Sequence, residues 1–333
     1  MKVSVLGAGA WGTALAIHIA KKHDVVLWSR DSSHVSGMKK SRTNPLYLGD
    51  FIFPENLSVE NNLELAIKSS EILLSVVPTS AFRSILKDIY RVNKKIPVIW
   101  ANKGLEKGTA MLPHEVAIDE LGEPSQNDGY HFGVISGPSF AAELARSLPT
   151  AVTLASTNDE LSSLAAGLFH HNNMRIYTSN DVAGVSVGGA LKNVIAIASG
   201  ISDGMGFGNN ARAALITRGL AEISRFGVAL GAQQDTFNGL AGVGDLVLTC
   251  TGEYSRNREV GMRLAKGQAL EEILTGLGHV AEGVFTAAEV MGRSELLGIE
   301  MPITKEVYSV IHNRKSPREA VLDLLNRSIK PEH

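Results

Sequence analysis

A lysine and an asparagine, Lys192 and Asn193, lie among small and apolar residues in residues 188–198 (GGALKNVIAIA). A lysine in such surroundings loses hydration, which weakens its hold on the proton and suits it to proton transfer. Asp245 lies in a second glycine-rich apolar stretch, GLAGVGDL, and is a candidate partner for this amine. Because most helical lysines are only solvated, the residues alone leave both interpretations of Lys192 open.

Three adjacent residues, Ser255, Arg256 and Asn257, place a hydroxyl, a guanidinium and an amide at the start of a predicted helix. This chemistry suits a phosphate monoester, since a helix N-terminus favours anions and a guanidinium donates charge-assisted hydrogen bonds to them. A positively charged capped helix is the alternative interpretation.

Two further segments follow predicted strands, at the edge where open α/β sheets bind ligands. Lys103 comes just after the strand at residues 98–101 and could bridge a cofactor and a substrate. Residues 136–143 (SGPSFAAE) run from a strand end into a helix start, with Pro138 in an early position and backbone amides free for an anion. An ordinary capped helix would have the same sequence features.

The residues Gly7, Gly9 and Gly12 form a G-x-G-x-x-G pattern between an apolar strand and a small-residue helix, with a second strand following. This context predicts a dinucleotide site, in which the glycines allow a sharp turn, close approach to the pyrophosphate and close helix–strand packing. A glycine-rich structural turn is the alternative.

The second strand ends in Ser-Arg-Asp, whereas strict NAD enzymes place an acidic residue at the strand tip to bind the ribose 2′-hydroxyl. Arg30 instead suggests a 2′-phosphate, so NADP(H) is predicted to bind at least as well as NAD(H). Asp31 keeps the use of both cofactors open, and a solvated surface arginine remains the simpler interpretation of Arg30.

The elements that must position these residues fall into two predicted domains. A chain of 333 residues exceeds what one core usually organises. Up to about residue 180, apolar runs alternate with helix-like stretches, which predicts a Rossmann-type, doubly wound, mostly parallel sheet. Residues 181–333 instead carry helical spacing and are predicted to be all-α, with Pro302 and Pro317 in first helical turns.

The net charge and the cysteine content limit which partners, metals and cell compartment the sequence predicts. A net charge of −2 gives no electrostatic reason to expect nucleic acid or anionic lipid as a partner. A single cysteine, Cys250, excludes intramolecular disulfides and multi-cysteine zinc sites and fits a reducing compartment, so we expect no metal and a cytoplasmic location. We also expect no integral membrane segment, because the apolar run near the N-terminus is broken by the three glycines.

Seven ordered blocks resemble the bacterial-type NAD(P)-dependent glycerol-3-phosphate dehydrogenases over nearly the whole chain. They are GAGAWGTALA, ANKGLE, SGPSFAAEL, GGALKNVIAIASG, LAGVGDLVLTC, SRNREVG and VAEGV. The resemblance implies a Rossmann-type domain followed by a helical domain of the 6-phosphogluconate dehydrogenase C-terminal type. It also implies reversible reduction of dihydroxyacetone phosphate to sn-glycerol 3-phosphate, the backbone precursor of membrane phospholipids, and a homodimer.

The resemblance also implies roles for individual residues. Lys192 is implied to be the proton acceptor or donor, with Asp245 orienting its ammonium. The residues implied to contact the substrate are Lys103, Gly137, Ser139, Lys192, Asp245, Ser255, Arg256 and Asn257. Those implied to contact NAD(H) or NADP(H), beside Gly7, Gly9 and Gly12, are Ala10, Trp11, Arg30, Lys103, Ala141, Arg256, Val280 and Glu282. Relatives often have serine at position 10, so Ala10 loses a side-chain hydrogen bond there.

Two other functions share this architecture. One is a dehydrogenase of a hydroxy acid or a sugar nucleotide; oxidation of an alcohol to an acid in the sugar-nucleotide enzymes uses a cysteine nucleophile. The apolar setting of Cys250 favours a packed small residue instead. The other is a non-catalytic NAD(P)-sensing protein, which fold alone cannot exclude.

Overall fold

Aliphatic and β-branched runs form the strands of the first unit of the chain. The computed structural model describes residues 1–123, 131–171, 173–277 and 281–328. Its first unit contains Met1–Lys103 and Met111–Ser186; its second contains Gly104–Ala110 and the chain from Val187. The predicted domain boundary at residue 180 stays a prediction beside this division.

Within the described residues, one sheet has the strand order β3-β2-β1-β4-β5-β6-β7-β8. Neighbouring strands are parallel except β6 and β7, so the predicted mostly parallel, doubly wound sheet is confirmed. The strands are β1 Lys2–Leu6, β2 Asp24–Trp28, β3 Leu57–Glu60, β4 Ile72–Ser75, β5 Val98–Trp100, β6 Phe132–Ser136, β7 Thr150–Ala155 and β8 Met174–Ser179.

The helices of the first unit pack on this sheet and bury its aliphatic residues. They are α1 Ala10–Ile19, α2 Ser32–Ser41, α3 Leu63–Lys68, α4 Thr79–Val92, α5 Pro113–Leu121, α6 Ala141–Ala145 and α7 Asp159–Phe169. Helix α1 begins at Ala10, so Gly12, which the sequence pattern placed between the strand and the helix, lies in the first turn of the helix.

Helices also make up the second unit, as the sequence predicts for the C-terminal half. They are α8 Val182–Gly204, α9 Gly208–Ala229, α10 Asp245–Thr251, α11 Arg256–Ala265, α12 Leu270–Leu277, α13 Glu282–Leu296, α14 Pro302–His312 and α15 Pro317–Leu325. Both predicted prolines stand at the first positions of their helices, α14 and α15.

Helix α8 is buried along most of its length. It is long and apolar enough to cross a membrane, yet 94% of its most apolar window is buried inside the protein, as in the core helix of a folded domain. Two glycines let α11 approach α8 at backbone distance: a Cβ at Gly200 would overlap the carbonyl of Arg258, and one at Gly261 would overlap the carbonyl of Ile197.

Two buried histidines stack in the first unit. The rings of His18, on α1, and His171, after α7, lie 3.9 Å apart with an interplanar angle of 7°. His18 Nε2 donates to the Phe169 carbonyl at 2.9 Å, while no partner for the ring nitrogens of His171 is found among the described residues. Burial, reinforced by the neighbouring His18, lowers the pKa of His171 from 6.5 to about 4.

We predict that this stack destabilises the protein in acid. The unfolded chain takes up a proton at His171 below pH 6.5, whereas the folded protein does so only near pH 4. This contribution to stability is therefore complete above 6.5 and is lost as the pH falls toward 4. Urea unfolding at pH 7 and pH 5 measures this effect. Between these two pH values, the free energy of unfolding should fall by about 2 kcal/mol more in the wild type than in His171→Gln.

The matched control is His170→Gln, which removes an exposed neighbouring histidine of the same unit and should keep the wild-type pH dependence. An unchanged pH dependence in His171→Gln would mean that the buried ring does not control the acid sensitivity.

Candidate active site

The glycine-rich turn between β1 and α1 has a conformation that only glycine adopts readily. Gly7 has a φ of +118°, and a Cβ there would lie 2.7 Å from the Val76 carbonyl oxygen. A Cβ at Gly12 would overlap the carbonyl oxygen of Gly7. Side chains at either position would force the first turn of α1 away from the strand.

Gly9 is the N-cap of α1, and a Cβ there would meet no atom within 4 Å. The start of a helix favours an anion, and the open space beside Gly9 leaves room for one to approach. Ala10 and Trp11 form the start of the helix and are half-buried against the core. This cradle fits the pyrophosphate of a nicotinamide dinucleotide.

The tip of β2 carries an exposed arginine and an acidic helix cap. Arg30 is exposed to solvent. Asp31 caps α2 by accepting hydrogen bonds from the backbone N–H groups of Ser33, at 2.9 Å, and His34, at 3.1 Å. The hydroxyl of Ser33 and then these backbone donors lower the pKa of Asp31. The carboxylate that could have bound a ribose thus stabilises a helix.

Sequence reasoning missed a buried asparagine that braces the glycine-rich turn. Asn44 Nδ2 donates to the Ala8 carbonyl at 3.0 Å and to Thr13 Oγ1 at 2.7 Å, while its Oδ1 accepts from His34 Nε2 at 2.9 Å. These three bonds tie the start of α2, at His34, to both sides of the turn. The sequence around Asn44 gives no sign of burial, so only the folded chain identifies it.

The other predicted residues of this unit follow β5 and β6 at the same carboxyl edge of the sheet. Lys103 follows β5 and is half-buried. Gly137 follows β6 with a φ of +144°, and a Cβ there would lie 2.9 Å from Val152 Cα. Ser139 Oγ donates to the Gly137 carbonyl at 2.9 Å, and Ala141 begins α6.

In the helical unit, Lys192 and Asp245 meet although 53 residues separate them in sequence. Lys192 Nζ forms an ion pair with Asp245 Oδ1, and their side chains are 9% and 1% exposed. An opposite charge in contact favours the charged form of both groups, so the pair keeps the amine as an ammonium, the protonated form that a proton donor needs. This effect opposes the loss of hydration expected from burial.

A threonine not predicted from the sequence completes this group. Thr249 Oγ1 accepts from Lys192 Nζ at 3.0 Å and donates to the Asp245 carbonyl at 2.6 Å. Its position, four residues after Asp245 on α10, places both side chains on one helix face. That spacing could have identified Thr249. A π-helical turn at Leu240–Gly244 leads directly into α10, as often occurs at functional sites.

The first turn of α11 carries the predicted phosphate-binding residues. Ser255 is the N-cap and accepts the backbone N–H of Arg258 at 3.3 Å, and Arg256 follows as an exposed side chain. Asn257 is buried, donates to Asn193 Oδ1 at 2.9 Å and accepts the N–H of Gly283 at 3.0 Å. Asn257 therefore links α11 to the residue next to Lys192.

One predicted cofactor contact, Glu282, lies at the start of α13. Glu282 is the first residue of that helix and is half-buried. Val280 lies outside the described residues. Across the part of the chain that the structure describes, no group of three or more His, Cys, Asp or Glu side chains could hold a metal ion.

Family models match both halves of the chain. The model of the NAD-dependent glycerol-3-phosphate dehydrogenase N-terminus matches residues 2–162, and that of its C-terminus matches residues 181–322. A relative from Methylobacillus flagellatus named glycerol-3-phosphate dehydrogenase, NAD(P)+, is 60% identical over 100% of this chain and 99% of its own length. One of the same name from Nitrosospira multiformis is 52% identical, with coverage of 100% and 99%.

Solved structures agree with these sequence matches. The crystal structure of glycerol-3-phosphate dehydrogenase from Coxiella burnetii has a TM-score of 0.93 at 41% identity, covering 98% of this chain and 99% of that one. A ketopantoate reductase from Ralstonia eutropha, 15% identical with a TM-score of 0.58 and coverage of 96% and 100%, shares the fold alone. The chain therefore belongs to the NAD(P)-dependent glycerol-3-phosphate dehydrogenase family of oxidoreductases.

Proposed function

We propose that the chain catalyses the reversible NAD(P)H-dependent reduction of dihydroxyacetone phosphate to sn-glycerol 3-phosphate, with Lys192 as the proton donor of the reduction. The observation that carries this proposal is the buried Lys192–Asp245–Thr249 group, which holds one amine in a defined direction. The names of the relatives support the substrate and the cofactor pair.

In this reaction, the bound reduced nicotinamide supplies a hydride to the C2 carbonyl carbon. As the C=O π bond breaks, the carbonyl oxygen gains negative charge, which the Lys192 ammonium neutralises by donating a proton. Asp245 and Thr249 restrict the amine to one orientation before the transfer. The lysine then recovers a proton from solvent, and the same groups accept a proton in the reverse reaction.

The phosphate group of the substrate suits the first turn of α11. Arg256 is exposed there, and the N-terminus of a helix favours an anion. We propose that Ser255, Arg256 and Asn257 hold the phosphate, with Lys103, Gly137 and Ser139 as further substrate contacts. Binding energy at the phosphate, which does not react, can then orient the ketone for reduction.

Lys192→Ala should lower kcat by about 100- to 10,000-fold, because the developing alkoxide loses its proton donor. The Kd for NADPH should not change, because the amine serves the substrate. The measurement is NADPH oxidation at 340 nm together with NADPH titration by fluorescence. Lys305→Ala, an exposed lysine of the same unit, is the control, and a Lys192→Ala enzyme with most of its kcat would remove this residue from the mechanism.

Arg256→Ala should raise the KM for dihydroxyacetone phosphate by about 10- to 100-fold, the usual effect of losing a hydrogen bond to a charged group. Lys266→Ala removes the same charge from the other end of α11 and should leave this KM near the wild-type value. Steady-state kinetics at saturating NADPH measure both. If the two variants have equal KM values, the phosphate does not bind at Arg256.

For the cofactor, we propose that Gly7, Gly9, Ala10, Trp11 and Gly12 hold the pyrophosphate end and Arg30 the adenosine ribose. The other proposed contacts are Lys103, Ala141, Arg256, Val280 and Glu282. Because Asp31 caps α2, the exposed arginine favours a 2′-phosphate and hence NADP(H), with NAD(H) also accepted.

Arg30→Ala should therefore raise the KM for NADPH by about tenfold and leave that for NADH nearly unchanged. Lys40→Ala, at the far end of α2, is the charge-matched control. The ratio of kcat/KM for the two cofactors is the measured quantity, and a ratio equal to that of the wild type would exclude Arg30 as the group that distinguishes them.

The environment of Cys250 disfavours the alternative function as a sugar-nucleotide dehydrogenase. Its side chain is fully buried, and burial raises the pKa of the thiol to about 12, so it holds almost no thiolate at neutral pH. Such a thiol cannot act as the nucleophile of an acid-forming oxidation. We also propose that the enzyme acts in the cytoplasm, because its single cysteine fits a reducing compartment, and that it forms a homodimer, as the family resemblance implies.

A further inference from the structure

A carboxylate in the last turn of α8 holds two arginines and has no part in the proton transfer described above. The Asp203 side chain is only 7% exposed. Its Oδ2 accepts from Arg258 Nε at 2.7 Å, and its Oδ1 accepts from Arg212 at 2.8 Å from Nε and 2.7 Å from the terminal nitrogen. Each oxygen therefore serves a different guanidinium.

Its position on α8 makes this arrangement unusual. The C-terminal end of a helix repels a negative charge, so a carboxylate there is stable only with cations beside it. Arg258 comes from α11 and Arg212 from the first turns of α9. Asp203 thus joins three helices by charge-assisted hydrogen bonds, which restrict direction more strongly than apolar packing does.

Arg258 is the link from Asp203 to the proposed phosphate site. It follows Arg256 by two residues, and its own backbone N–H bonds the Ser255 cap. On the same turn, Asn257 is bonded to Asn193 of α8. The first turn of α11 is therefore anchored to α8 at two positions, one beside Lys192 and one at Asp203.

We propose that Asp203 is a positioning residue for substrate phosphate binding: through Arg258 it fixes the direction of the first turn of α11. This inference rests on the proposed function of Ser255, Arg256 and Asn257. Without the carboxylate, two neighbouring arginines repel each other, and the turn that presents Arg256 loses one of its two anchors. The proton-transfer group keeps its own contacts with α10, so the effect falls on substrate binding.

The test compares Asp203→Asn with the wild type at an ionic strength of about 0.15 M, where the removed charge is screened beyond about 8 Å. We expect the KM for dihydroxyacetone phosphate to rise about tenfold, with kcat within about twofold. The KM for NADPH should rise much less, because Arg256 is only one of the proposed cofactor contacts. Asp203→Glu, which keeps the carboxylate, should recover most of the lost affinity. A merely structural role would instead lower kcat and raise both KM values to a similar extent.

Arg258→Lys provides a second variant if Asp203→Asn does not fold, because it keeps the charge and loses the forked geometry. It should also raise the substrate KM selectively. Glu306→Gln is the control, since it breaks the ion pair of another carboxylate in the same unit, 12% exposed, with Lys315. Its KM values should match those of the wild type.

Arg256→Ala separates failure of this inference from failure of the proposed function. If Arg256→Ala raises the substrate KM while Asp203→Asn and Arg258→Lys do not, the positioning role is overturned and the phosphate site stands. If Arg256→Ala has no effect either, the phosphate site itself is wrong. A fall in KM in Asp203→Asn would also overturn the inference, because the carboxylate would then act by repelling the phosphate.

Discussion

The buried ion pair between Lys192 and Asp245 is the interaction on which the helical unit depends. Two ions removed from water lose hydration, and their attraction offsets this cost only if the geometry is good and other polar atoms are satisfied. Thr249 supplies such a contact. Removing either ion would leave the other as a buried, unpaired charge and would lower the free energy of unfolding by about 3–5 kcal/mol. The pair therefore constrains how closely its helices pack.

The two units use different kinds of atoms for binding. At the carboxyl edge of the sheet, backbone N–H groups and the space beside Gly9 form the nucleotide cradle, so no side chain at position 9 limits the approach of the cofactor. The helical unit instead uses side chains on helices whose spacing is set by glycines at backbone contact, such as Gly200. Helices hold side chains more firmly than loops do, which suits proton transfer.

Local patterns made much of this structure predictable from the sequence. The strand–turn–helix pattern around Gly7 is a local signal, and so is the change to helical spacing near residue 180. The glycine-rich, apolar stretch around Asp245 suggested this residue as the partner of Lys192. The roles of Asn44 and Asp203 depend on contacts between distant segments, which periodicity does not encode. Outer strand β8 was missed because Arg175, Thr178 and Ser179 interrupt its apolar run and only Met174 of its six residues is buried, unlike a buried parallel strand.

The most direct test of the central claim is the distance from Lys192 Nζ to the C2 oxygen of dihydroxyacetone phosphate in a crystal structure with the substrate and an unreactive nicotinamide cofactor. Proton donation by Lys192 predicts hydrogen-bond contact, about 3 Å, with Asp245 still bonded to the amine. A separation above about 5 Å with another donor on that oxygen would contradict it.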